Sequence, residues 1–125
     1  MLDFLFISTE NETRTFPVTE FEYKKFISLG IDKAGVYFDK NFLIEGDEYQ
    51  IEVIELDEVN RKKFIDLINN YIFDYIDEVY TQSKISTSHA LDPTYLSKSL
   101  EVMHKITLFR REIENRSNAW LSINP

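Results

Sequence analysis

Glu101-Val102-Met103-His104 places a carboxylate and an imidazole three residues apart. On a helix that spacing sets both on one face, where they can share a metal; a dinuclear carboxylate site needs a second Glu-x-x-His and two further glutamates. The chain has no second copy, and the helical segment before it offers Asp66, Asp74, Asp77 and Glu78. Paired carboxylates such as Asp74, Asp77 and Glu78 can act as acid and base or take a divalent cation. Their spacing between Tyr75, Ile76 and Val79 is equally that of a solvated helix edge. Ser86-Thr87-Ser88-His89 holds a serine near a histidine, but loop neighbours rarely meet in the geometry a catalytic triad demands. Gly30, Gly35 and Gly46 are isolated and make no phosphate cradle, and there is no Gly-x-Ser-x-Gly elbow. Without cysteine there is no thiol nucleophile, thiolate metal site or disulfide. The expectation is a chain with no catalytic residues, no cofactor and no metal.

Charge is more informative. The 125 residues carry 22 acids and 14 bases, a net −8. Residues 1–58 hold 14 acids and 5 bases, whereas residues 59–125 hold 8 and 9. Phosphate binding needs clustered Lys and Arg, so nucleic acid is not expected as a partner. A basic protein is, because an acidic patch speeds its encounter. Solubility alone also accounts for a charge of this size. The residues expected to meet the partner are Glu48, Gln50 and Glu52, with Glu45 and Asp47 beside the Gly46 turn. Arg61, Lys62 and Lys63 fall near Arg110 and Arg111 if the two long helical segments run antiparallel; solvated helix ends explain them as well.

These residues need elements to position them. Leu2–Ile7 is apolar on both faces and reads as a central strand. Ser8–Thr15 is polar and reads as a loop. Thr19 and Glu22 form a capping box for a short helix that ends at Gly30. Period two then runs from Val36 to Glu55. Val36–Phe38 and Phe42–Ile44 suggest a hairpin around Asp39-Lys40-Asn41, with a second turn at Gly46-Asp47. In the following strand Tyr49, Ile51 and Val53 are assigned to the core face and Glu48, Gln50 and Glu52 to the wet face.

Asp57 caps a long helix reaching Tyr80, Gln82–Leu91 reads as a loop, and Asp92-Pro93 starts a helix to about Asn115. Each is about 22 residues, or roughly 33 Å, longer than so small a sheet, so one end of the pair projects. The tail has Trp120, Leu121 and Ile123 as anchors. The predicted core is Phe4, Phe6, Ile51, Val53, Phe64, Ile68, Ile72, Ile76, Met103, Ile106 and Phe109. Tyr37, Tyr49, Tyr71, Tyr75 and Tyr80 can serve either core or interface.

The pattern predicts a single α+β domain over residues 1–125: a small antiparallel sheet of three or four strands, one short helix, and two long antiparallel C-terminal helices. Helix should exceed strand, at roughly half of all residues. No apolar run exceeds Phe4–Ile7, so no membrane span is expected, and the start lacks the basic, apolar character of a signal peptide. A cytoplasmic location is expected.

Small size, absence of cysteine and strong acidity make the profile similar to that of small acidic bacterial immunity proteins, which neutralise a cognate toxin by covering its active site. The resemblance lies in general character over the whole chain and in no particular motif. It implies a non-catalytic domain with a basic toxin as partner. One alternative is an enzyme or metal- or ligand-binding domain with a site between sheet and helices around Glu101, His104, Asp74 and Asp77. Another is a homo-oligomer joined through surplus apolar stripe on the long helices.

Overall fold

The computed structural model describes residues 2–85, 93–115 and 119–123. The chain begins with a hairpin of β1 (Leu2–Ser8) and β2 (Thr13–Val18), which pairs Phe4 with Phe16. The loop expected over Ser8–Thr15 is therefore shorter. Only the residues around Asn11 turn, and Asn11 takes a left-handed φ of 61°, which Asn tolerates better than most residues. Ser8 Oγ accepts hydrogen bonds from Glu10 N and Glu12 N and closes the turn. The polar residues Thr13 and Thr15 misled because an edge strand buries only alternate positions, here Phe16 and Val18.

Helix α1 (Glu20–Ser28) has the expected capping box. Glu22 N donates to Thr19 Oγ1 at 3.1 Å, and Thr19 N donates to Glu22 Oε1 at 2.9 Å. Gly30 stops it in the left-handed conformation, φ 88°.

Strands β3 (Phe38–Ile44) and β4 (Asp47–Glu55) form the second hairpin. Asp39-Lys40-Asn41 is not a turn; it runs straight through β3, opposite Glu52, Ile51 and Gln50. The chain reverses at Glu45-Gly46, both with positive φ, 52° and 85°. That is the primed two-residue geometry whose twist matches the strands it joins.

Helix α2 (Glu58–Ile85) starts where Asn60 N donates to Asp57 Oδ1 at 2.7 Å. It passes the expected end at Tyr80, so Gln82–Ile85 are helical; the rest of the expected loop, Ser86–Leu91, lies outside the described residues, as does Asp92. Helix α3 (Pro93–Asn115) runs back antiparallel. Phe64 meets Phe109, while Tyr75 and Glu78 line one cavity with Lys98 and Val102.

The tail is not a mere anchor. Ala119–Ser122 forms β5 and enters the centre of the sheet, whose order is β2-β1-β5-β4-β3, all antiparallel. Leu121 faces Phe6 on one side and Ile54 on the other. The sheet thus has five strands rather than three or four, and the last described element is a strand instead of a helix. Four residues are too few to show a period, and β5 is stabilised by pairing on both sides. The α+β class holds, and helix outweighs strand.

The main core lies between one sheet face and the three helices. Phe4, Phe6, Phe16, Ile54, Leu56 and Leu121 pack against Phe26, Phe64, Ile68, Val102, Ile106, Phe109 and Ile113. A smaller cluster on the opposite face buries Ile7, Phe42 and Val53 beside Leu5, Ile51 and Trp120. The face assignment along β4 needs correction. Ile54 and Leu56 point to the helices, so Glu48, Gln50 and Glu52 share the helix-side face, farther along the strand. Tyr49, Ile51 and Val53 belong to the opposite face, where Val53 is buried, Ile51 half-buried and Tyr49 exposed.

Phe4, Phe6, Val53, Phe64, Ile68, Ile106 and Phe109 are buried as predicted, and Ile72 and Met103 are half-buried. Ile76 is 54% exposed. The α2–α3 pair outruns the sheet, and no α2 side chain described after Ile68 is buried. The two isoleucines should therefore separate cleanly. Ile68→Ala is expected to cost about 2–5 kcal/mol and Ile76→Ala under about 0.5, read by urea denaturation. No helix among the described residues is long and apolar enough to cross a membrane.

Candidate functional site

The two-residue turn at Glu45-Gly46 dictates which side chains meet along the outer hairpin. On its helix-side face Leu43 lies opposite Glu48, Asn41 opposite Gln50, and Asp39 opposite Glu52. All six are exposed, because the hairpin runs past the helices that cover Ile54 and Leu56. Glu48, Gln50 and Glu52 are thus brought together as expected, and Asp39, Asn41 and Leu43 join them. Glu45 sits exposed in the turn. Asp47 pairs with Ile44 and alternates onto the opposite face, away from the other three.

Three features give this ladder its chemistry. Asp39 and Glu52 are carboxylates at directly opposed positions, so negative charge is concentrated at this rung of the ladder. The base within β3, Lys40, alternates to the other face, where its Nζ lies 4.9 Å from the Trp120 ring centroid and 5.7 Å from that of Phe42. Those ring contacts hold its charge there. Leu43, 59% exposed, supplies an apolar contact among the polar groups. At the base of the hairpin Tyr37 Oη donates to the Ile31 carbonyl at 2.8 Å. Burial first, then the charges of Asp32 and Glu52, keep this hydroxyl protonated above its ordinary range.

The other candidate groups do not converge. Glu101 and His104 are exposed on α3. Asp74 lines a cavity of about 460 Å³ with Tyr71 and Tyr75, and Glu101 lines an adjoining one of about 270 Å³ with Thr19; Phe21, Lys98 and Val102 border both. His104 and Asp77 border neither. Among the described residues no group of three His, Asp or Glu side chains is placed to hold a metal ion. Ser86–His89 lies outside the described residues.

Arg110 is paired with Glu114 at 3.1 Å, Arg111 borders a depression with Arg14 and Lys105, and Lys63 borders a different one with Lys33. Of the five tyrosines in question none is buried: Tyr37, Tyr71 and Tyr75 are half-buried, Tyr49 and Tyr80 exposed.

Asp39, Asn41 and Leu43 escaped the sequence reading because Asp39-Lys40-Asn41 is rich in turn formers. The available signal was Gly46: a two-residue turn ending there carries the register up to Asp39 and Glu52. No protein-family model, no curated protein and no solved structure matches the chain.

Proposed function

We propose that this chain is a non-catalytic protein-binding domain whose acidic β3–β4 face receives a basic protein, in the manner of an immunity protein held against a basic toxin. The observation that carries the reading is the exposed ladder Asp39/Glu52, Asn41/Gln50 and Leu43/Glu48. It concentrates carboxylates around one apolar contact and extends beyond the part of the sheet that the helices need. The excess negative charge of residues 1–58 adds long-range attraction for a basic partner. A cytoplasmic location belongs to this proposal, as does the absence of catalysis.

Glu48→Lys with Glu52→Lys tests it. Both side chains are exposed, so the melting temperature should stay nearly unchanged. Affinity for the basic partner should fall and become less sensitive to salt, because rim charges act chiefly on the association rate and its screening. Unchanged affinity in the folded double variant contradicts the assignment.

A second reading, homo-oligomerisation, is favoured by one observation. Phe73, Ile76 and Tyr80 lie exposed along α2 at intervals that share a helix face. Light scattering decides it: self-association through this stripe predicts a dimer mass that Phe73→Lys with Ile76→Lys reduces to that of one chain.

A further inference from the structure

The sheet has two edges, β2 and β3, and the molecule treats them differently. An edge presents a row of unpaired backbone donors and acceptors, which native proteins blunt with proline, charge or a covering side chain. The β2 edge is blunted. Pro17 removes a backbone donor. Its carbonyl accepts a hydrogen bond from Lys105 Nζ at 3.0 Å, and Arg14 is tied to Glu112 at 2.8 Å, so two α3 side chains reach this strand. On the β3 edge the charges of Asp39 and Lys40 are the one such device among the described residues. Phe38–Ile44 has no proline, and its register against β4 is unbroken over seven residues. Among the described residues no side chain hydrogen-bonds to its backbone. Its one cation, Lys40, is held over Trp120 and Phe42.

We propose that the β3 edge takes up an extended segment of the protein partner as a sixth strand, and that this segment alternates basic with apolar residues. The proposal rests on the protein-binding reading above and adds the mode of docking. Side chains of an added strand alternate between the two sheet faces. Those on the helix-side face fall beside Asp39, Asn41 and Leu43, one strand away from Glu48 and Glu52, so Lys or Arg complements them. Those on the other face fall beside Phe38 and Ile44, where apolar residues fit. A second copy of the chain is the poorer occupant, because it would bring two sets of Asp39, Glu48 and Glu52 towards one face.

The probe is a capped peptide alternating lysine and valine over eight residues, titrated into the isotopically labelled protein and followed by backbone amide shifts and hydrogen exchange. An analogue N-methylated at its four central residues keeps the charge and loses the strand donors. The expected result is shifts and slowed exchange along β3, with the analogue bound at least about tenfold more weakly. Equal binding of both peptides overturns strand addition and leaves attraction by the acidic face standing. Repeating the titration on Glu48→Lys with Glu52→Lys isolates the other half. Weaker binding with the N-methyl penalty retained supports both, whereas unchanged binding with the penalty retained supports the edge and contradicts the acidic face. No binding of either peptide at about 1 mM overturns the edge proposal. So does a β3-mediated dimer of the protein alone.

Discussion

Phe109→Ala is expected to lower the melting temperature by roughly 10–20 °C, corresponding to about 3–5 kcal/mol. Phe109 is fully buried on α3, and its ring is the point where four other elements meet. Its centroid lies 5.0 Å from Phe26 on α1, 5.5 Å from Phe4 on β1, 5.6 Å from Phe16 on β2 and 6.2 Å from Phe64 on α2. The contacts with Phe4, Phe16, Phe26 and Phe64 are edge-on, the geometry that favours the ring quadrupoles. Rigid rings cannot collapse into the space a lost ring leaves, so the cavity cost should sit at the high end for such a change. Phe109→Leu should cost less, because it retains part of the volume. Thermal unfolding followed by far-ultraviolet circular dichroism measures both; a shift below about 3 °C for Phe109→Ala would contradict this account of the core.

Ending the chain at Asn115 should abolish cooperative folding altogether. Among the described residues β5 is the only strand that joins the β1–β2 hairpin to the β3–β4 hairpin in the sheet order. Without it β1 and β4 each expose a ladder, Leu56 N loses its 2.8 Å bond to the Ala119 carbonyl, and the buried Ala119, Leu121 and Ile123 leave the core. A domain has about 5–15 kcal/mol of net stability, and Leu121→Ala alone is expected to remove about 2–5 of it. Proton spectra report the outcome: collapsed amide and methyl dispersion is predicted, and a dispersed spectrum with a sharp thermal transition would show that β5 is dispensable.

The long-range role of β5 was not legible in the sequence, for a physical reason. Ala119-Trp120-Leu121-Ser122 is too short to display alternation, and its stability comes from two neighbours far away in the chain. The capping box at Thr19 and Glu22, the Gly30 stop and the start of α2 at Asp57 were legible because each is a local hydrogen-bonding or backbone preference. Position along a long helix was not. Ile68 and Ile76 have similar neighbours in sequence, yet only the former lies over the sheet.

The candidate surface was legible in part. Alternation along residues 48–53 put Glu48, Gln50 and Glu52 on one exposed face. It did not disclose that Ile54 and Leu56 continue that same face into the main core, since a strand's two ends can meet different layers. Asp39, Asn41 and Leu43 could be placed only once the turn was assigned to Glu45-Gly46, because register propagates from the turn.

Whether the acidic β3–β4 face meets a basic protein is read most directly by paired capture from extract of the native host. Wild-type chain and Glu48→Lys with Glu52→Lys serve as baits side by side, both shown to melt at the same temperature. The prediction is a basic protein retained by the wild type, released as salt rises through roughly 0.05–0.5 M, and missing from the double variant. The same protein held equally by both baits at every salt concentration would contradict it.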